Sequence, residues 1–229
     1  MAPALSESAL LAQKRDAAER AAALVGPGMV VGLGSGSTAL MVVEEIARRL
    51  SGGGLSGIVG VPTSRATARH AAARGLALTD LEQHPVIDLA IDGADEATPD
   101  GDLLKGMGGA LLREKVVALA ARRLVIVIDE SKKTDRLGRR HPLPLAVAPF
   151  GWSTHQAAVR DLGGEAALRR DAAGAPYVTD DGSFILDCRF RDGIPDPAAV
   201  DRALRARPGV LETGLFLGLR PEVIVGRAR

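Results

Sequence analysis

Lys105 and Glu114 stand at either side of a glycine-rich turn in the stretch KGMGGALLREK, Lys105 to Lys115, and this combination is equipped to move a proton. Gly106, Gly108 and Gly109 allow positive φ, so the backbone can turn its amides inward. Glu114 falls early in the helix that follows, where the positive end favours an acid. A base that takes a proton from beside a carbonyl needs positive donors to hold the oxyanion that forms, and a lysine with a run of amides supplies them. The same Arg113-Glu114-Lys115 run also reads as the solvated face of a helix whose buried stripe is Leu112, Val116 and Leu119.

Other candidate residues lie directly after apolar strands. Gly34-Ser35-Gly36-Ser37-Thr38 follows the first strand and suits an anion such as phosphate: the glycines let amides approach, Ser37 and Thr38 offer hydroxyls, and the next helix points its positive end at the ligand. The stretch from Gly34 to Ala39 satisfies G-x-G-x-x-A, but a dinucleotide site also wants an acid after the second strand, where Pro62-Thr63-Ser64 stands, and no lysine precedes Ser37 and Thr38 as a P-loop requires. A tight turn with a helix cap explains the loop equally well. Asp92 and Asp95, with Gly93 and Ala94 between them, form a carboxylate pair that can handle sugar hydroxyls, or an Asx-turn that closes the strand. Asp129-Glu130-Ser131-Lys132 is the fourth such loop.

The elements that must position these loops follow one grammar. A helix from about Ser6 to Val25 ends at Gly26-Pro27-Gly28; then come strand Met29–Leu33 and helix Ala39–Leu50, strand Ile58–Val61 and helix Arg65–Arg74, strand Val86–Ile91, and the strand LVIVI before DESKK. Short strands that are apolar throughout and alternate with helices predict a parallel sheet covered on both faces, and ligands bind at the carboxyl ends of its strands. After Arg140 the order becomes βαββαβ: PLPLAVAPF, a helix Trp152–Leu162, strands Glu165–Arg169 and Ser183–Arg189, a helix Pro197–Ala206 and a strand Val210–Gly214. The predicted fold class is therefore α/β, a doubly wound, mostly parallel Rossmann-like sheet with a smaller ferredoxin-like α+β domain. The expected division is 1–141 plus 216–229 for the larger domain, with EVIVG returning to it as a strand, and 142–215 for the smaller.

Composition narrows the chemistry. With 229 residues and 46% hydrophobic content the chain can bury a substantial core. A formal net charge of +1, and 3% aromatic residues, provide no basic and aromatic surface for nucleic acid. The one cysteine, Cys188, sits in FILDC as a packed strand residue rather than a nucleophile and suits a reducing compartment. His70, His84, His141 and His155 show no ligand spacing, so no metal is expected. The N-terminus lacks a signal-peptide core, and no stretch approaches the roughly 18 apolar residues of a membrane span, which together predict a soluble cytoplasmic protein.

Taken in order, GLGSGSTA, DGADE, KGMGGALLREK, DESKK and PLPLAV resemble the ribose-5-phosphate isomerase A family over nearly the whole chain. The resemblance implies interconversion of ribose 5-phosphate and ribulose 5-phosphate through an enediolate, without metal or cofactor. It implies that Glu114 shuttles the proton between C2 and C1, and that Lys105 and the amides of Gly106, Met107 and Gly108 hold the oxyanion. Asp92 and Asp95 then contact sugar hydroxyls and assist ring opening, Ser35, Gly36, Ser37 and Thr38 form the substrate loop, and Lys132 is a late substrate-contacting lysine. A homodimer or homotetramer is implied as well. Two positions depart from the family pattern: Met107 stands where Gly or Arg is usual, and Leu112 replaces the Thr of TREK. A sugar-phosphate sensor would need a DNA-binding module, and the segment before the first strand has room for about one helix. A deaminase or lactonase would need other constellations than Lys105 with Glu114.

Overall fold

The structure, a computed structural model, describes residues 6–228. In chain order the elements are α1 (Glu7–Ala22), β1 (Val30–Leu33), α2 (Ser37–Ser51), β2 (Val59–Pro62), α3 (Arg65–Ala72), β3 (Leu89–Gly93), β4 (Glu96–Ala97), β5 (Leu103–Leu104), α4 (Leu111–Ala120) and β6 (Leu124–Ile128). They continue with β7 (Leu143–Val147), α5 (His155–Asp161), β8 (Gly164–Leu168), β9 (Phe184–Phe190), α6 (Pro197–Arg205), β10 (Val210–Thr213), β11 (Leu215–Phe216) and β12 (Glu222–Val225). The described residues form two compact units: residues up to 94, 116–133 and from 221 onward, and residues 95–115 and 134–220.

The first unit holds a five-stranded parallel sheet in the order β12-β6-β3-β1-β2. The expected strand from EVIVG closes it as β12, paired in parallel with β6. Its core joins Val31, Leu33, Leu89, Ile91, Val125 and Val127 of the strands to Ala17 and Ala21 of α1 and Val42, Val43 and Ile46 of α2. Because β2 and β3 flank β1 on opposite sides, the direction of strand succession reverses at β1/β3. In an open parallel sheet this switch point is where a crevice opens beyond the carboxyl ends of the strands.

The second unit holds a four-stranded antiparallel sheet in the order β10-β7-β9-β8. Chain order β7-α5-β8-β9-α6-β10 makes it the predicted split βαβ arrangement. Strand alternation separates its faces. Leu143, Leu145 and Val147 of β7 and Leu186, Cys188 and Phe190 of β9 pack with Val159 of α5 and Val200 and Leu204 of α6. On the other face Ala146 and Ile185 pack with Leu111 and Tyr177.

A further three-stranded antiparallel sheet, β11-β5-β4, lies in the same unit. Sequence reading did not anticipate it, because two-residue strands carry no periodicity. It sets the glycine loop, since Lys105 follows β5 directly and its amide donates to Gly214 O at 2.9 Å.

Helix α4 corrects the expected burial. Leu112 is only half-buried, and Val116 and Leu119 are 45% and 65% exposed, whereas Leu111, Glu114, Lys115 and Val117 are buried. The charged side chains find partners inside the protein, described next, so a stripe chosen by hydropathy alone fell on the wrong face.

Candidate active site

In the first unit the loop after β1 is held from three directions. Gly34 donates to Ile91 O at 2.9 Å, and Asp92 Oδ1 accepts from the amides of Ser35 at 3.0 Å and Gly93 at 2.7 Å. The Ser35 hydroxyl lies 2.8 Å from that of Thr63 and 3.0 Å from that of Ser64, and Thr67 donates to Gly34 O at 3.0 Å. A Cβ at Gly34 would collide with the Asp92 carboxylate and Cα, which is why glycine stands there. Gly36, with φ 89°, precedes Ser37, the first residue of α2. The hydroxyl of Ser35 is thus spent on building the loop. Gly36 and Ser37 are exposed, and Thr38 is half-buried at the start of α2.

Sequence reading missed Lys14. Its Nζ donates to Ser37 Oγ at 3.2 Å, placing a cation at the N-terminal end of α2 from a helix more than 20 residues away, and no local motif signals such a contact. Asp92 is buried, Gly93 and Ala94 are half-buried, and Lys132 is half-buried at the end of a single 3₁₀ turn, Glu130–Lys132.

In the second unit the structure brings Lys105 and Glu114 together: Nζ lies 3.4 Å from Oε2, and the residues are 3% and 6% exposed. Glu114 is therefore a buried partner of Lys105 and not part of a solvated face. The Lys105 ammonium also lies 5.5 Å from the ring centroid of Phe216. Lys115 approaches the same ring at 4.7 Å and donates to Glu212 Oε1 at 2.8 Å, Thr213 O at 2.8 Å and Leu215 O at 2.7 Å. Burial pulls the Lys115 pKa below the ordinary lysine value, against the opposing hydrogen bond and charge of Glu212. Phe216 thus stands between a catalytic candidate and a lysine that ties down β11.

The glycine loop between them is tightly specified. Gly106 has φ 104° and Gly109 φ 82°, values that favour glycine, and Gly109 donates to Gly106 O at 3.0 Å. The Met107 amide donates to Asp95 Oδ2 at 3.0 Å, while the Met107 side chain is 38% exposed. Of the three amides named from the sequence, Met107's is therefore engaged by Asp95. Those of Gly106 and Gly108 have no acceptor within the protein among the described residues.

Among the described residues no three or more His, Cys, Asp or Glu side chains are grouped to hold a metal ion. Nor is any helix there long and apolar enough to cross a membrane.

A parallel sheet with an amide-rich loop at its switch point, and a buried lysine–glutamate pair beside a glycine turn, define an α/β enzyme for a small anionic substrate. The family model described as ribose 5-phosphate isomerase A (phosphoriboisomerase A) matches residues 59–229. Ribose-5-phosphate isomerase A of Roseiflexus castenholzii is 50% identical over 93% of this chain and 90% of that protein. A D-ribose-5-phosphate isomerase solved in complex with phospho-erythronic acid matches with a TM-score of 0.91 at 36% identity, covering 95% of both chains. The Methanocaldococcus jannaschii ribose 5-phosphate isomerase A structure matches at 0.87 and 35%, covering 93% of this chain and 94% of that one. The chain belongs to the ribose 5-phosphate isomerase A family.

Proposed function

We propose that this chain interconverts D-ribose 5-phosphate and D-ribulose 5-phosphate through an enediolate, with Glu114 carrying the proton. In the aldose-to-ketose direction the Glu114 carboxylate takes the C2 proton of the opened sugar, and the C2–H electron pair moves to make an enediolate as the C1 carbonyl oxygen becomes anionic. Lys105, with the amides of Gly106 and Gly108, stabilises that oxygen. The C2 hydroxyl proton passes to the anionic O1, leaving the enediolate charge on O2, and Glu114 then delivers its proton to C1 as the O2 electron pair closes the C2 carbonyl. Bonds and electrons balance without any redox partner. The buried Lys105–Glu114 pair carries the reading, because it puts a base and an electrophile 3.4 Å apart and away from bulk water.

The remaining roles follow from the loops. Within the loop Ser35, Gly36, Ser37 and Thr38, the amides of Gly36, Ser37 and Thr38 bind the substrate phosphate at the start of α2 while the Ser35 amide, held by Asp92, shapes the loop, with Lys14 adding charge there. Asp92, Gly93, Ala94 and Asp95 handle sugar hydroxyls and assist ring opening, and Asp92 in addition shapes the Ser35 loop. Met107 serves through its backbone, its amide anchoring Asp95. Lys132 supplies a second cation for the substrate. The reading extends to a homodimer or homotetramer, with which the exposed apolar side chains of Leu119 and Phe150 accord, and to a cytoplasmic setting, with which the single buried thiol accords.

Incubation with ribose 5-phosphate in heavy water tests the proposal, following both ketose formation and deuterium in the pentose. A protein that only binds the sugar gives neither. Glu114→Gln, recovered folded, is expected to lose roughly 10²–10⁴ in kcat, and near-native turnover by that variant would reject Glu114 as the base.

A further inference from the structure

Three consecutive carbonyls of the glycine loop accept side-chain hydrogen bonds. Arg169 Nη1 donates to both Gly106 O and Met107 O at 3.0 Å, and Tyr177 Oη donates to Gly108 O at 3.3 Å. In a planar trans peptide the C=O of one residue and the N–H of the next point in opposite directions. Fixing the Met107 carbonyl therefore also fixes the direction of the Gly108 N–H. Of the loop amides that follow these carbonyls, Met107's goes to Asp95 and Gly109's goes to Gly106 O, while Gly108's has no acceptor within the protein among the described residues.

The guanidinium that does this is itself immobilised. Its Nε and Nη2 reach Asp187 Oδ2 and Oδ1 at 3.0 and 2.5 Å, a two-pronged arrangement that sets the plane of the guanidinium as well as its place. The Arg169 amide donates to Ile185 O at 2.8 Å, extending the β8–β9 ladder, and its guanidinium carbon lies 5.9 Å from the Tyr177 ring centroid. The Tyr177 ring in turn fills the space where a Cβ at Gly109 would fall. None of these side chains is needed for proton transfer, and none belongs to the motifs that signalled the site.

We propose that Arg169 is a positioning residue for the isomerisation, locked by Asp187 and holding the Gly106 and Met107 carbonyls so that the Gly108 amide is aimed at the oxyanion. The inference rests on assigning the glycine loop to the oxyanion. Preorganised donors act through their alignment, and a misplacement of about 1 Å can cost on the order of 10²-fold in rate. Lysine, as a single-point donor, cannot reproduce a contact that grips two carbonyls and a carboxylate together.

The test compares Arg169→Ala, Arg169→Lys, Asp187→Asn and Glu114→Gln with the parent, reading kcat, KM for ribose 5-phosphate and thermal midpoint, with and without guanidinium chloride below denaturing concentration. Arg169→Ala is expected to lose roughly 10- to 100-fold in kcat with KM changed less than about threefold. Added guanidinium should restore part of that loss, and Arg169→Lys should fall between parent and Ala. Asp187→Asn, which keeps the arginine but loosens its anchor, should show the same split more weakly, and it decides the matter should Arg169→Ala not be recovered folded. Native kcat in the arginine variants overturns the inference, as does a loss that only tracks lowered thermal midpoint and is not rescued. Glu114→Gln separates the two ideas: if it is inactive while Arg169→Ala turns over normally, only the positioning role fails, whereas an active Glu114→Gln removes the assigned base itself.

Discussion

Replacing Lys105 by Met, which keeps the length of the aliphatic stem but removes the charge, probes stability and catalysis through one contact. At 3.4 Å the gross attraction between Lys105 and Glu114 is about 5 kcal/mol at an effective dielectric constant of ~20. Desolvation of two ions that are 3% and 6% exposed offsets most of this in the intact pair. The single variant keeps the desolvation cost of the carboxylate and loses the nearby cation, so it should be less stable by about 3–5 kcal/mol. Adding Glu114→Gln removes the stranded charge, and the double variant should recover to within about 2 kcal/mol of the parent, a coupling that four proteins measured together reveal. Trp152, the one tryptophan, lies in the same compact unit as the pair, so its fluorescence during urea unfolding reports the relevant transition. Turnover should behave differently. Lys105→Met loses roughly 10²–10³ in kcat with its oxyanion donor, and the double variant gains nothing back because the proton carrier is gone. An unchanged urea midpoint in Lys105→Met, or near-native kcat, would refute the reasoning.

Gly34→Ala should destabilise by about 1–3 kcal/mol, since its Cβ would displace Asp92. It should also raise KM for ribose 5-phosphate roughly tenfold or more by breaking the Ser35–Asp92 contact that shapes the loop, and a KM equal to that of the parent would contradict the proposed phosphate loop. Burial, with the Arg207 charge adding to it, holds the His155 pKa below its ordinary value near 6.5. A histidine depressed in this way binds fewer protons folded than unfolded, so its contribution is intact above about pH 6.5 and declines as pH falls below it. Thermal midpoints should therefore drop less between about pH 7 and pH 5 in His155→Asn than in the parent, and equal slopes would exclude His155 as a source of acid sensitivity. Burial, with the Asp187 charge adding to it, pushes the Cys188 thiol up to about 12. A thiol-reactive dye should leave the native protein unlabelled at mild pH and modify one thiol per chain in denaturant, and rapid labelling of the folded state would contradict the burial.

The fold was legible where packing imposes a simple pattern. LVIVI reads as a strand buried on both faces because all five residues of β6 are buried. PLPLAV and FILDC read as strands, and they pair as β7 and β9, the central strands of the antiparallel sheet. The third strand was placed too early, from Val86, because Val86-Ile87 is apolar although Val86 is 48% exposed and pairing with β1 starts at Leu89. The candidate site was legible as loops after strands, and its charged interior was not. From sequence Glu114 reads as a base beside the glycine loop or as part of a solvated face with Lys115, and only Lys105 and Glu212, the latter 97 residues from Lys115, show both to be buried in ion pairs. Lys14 and Arg169 were invisible for the same reason. Their partners are a hydroxyl at Ser37 and the backbone carbonyls of the glycine loop, and a carbonyl leaves no trace in sequence.

The buried Cys188 also makes the protein convenient for spectroscopy. Since the chain holds no other cysteine, a fluorophore or spin label reacted with a Met107→Cys variant would attach at one chosen point on the glycine turn. Its signal during substrate addition would come from that turn alone, so the response of the turn to substrate could be timed without first stripping a native thiol.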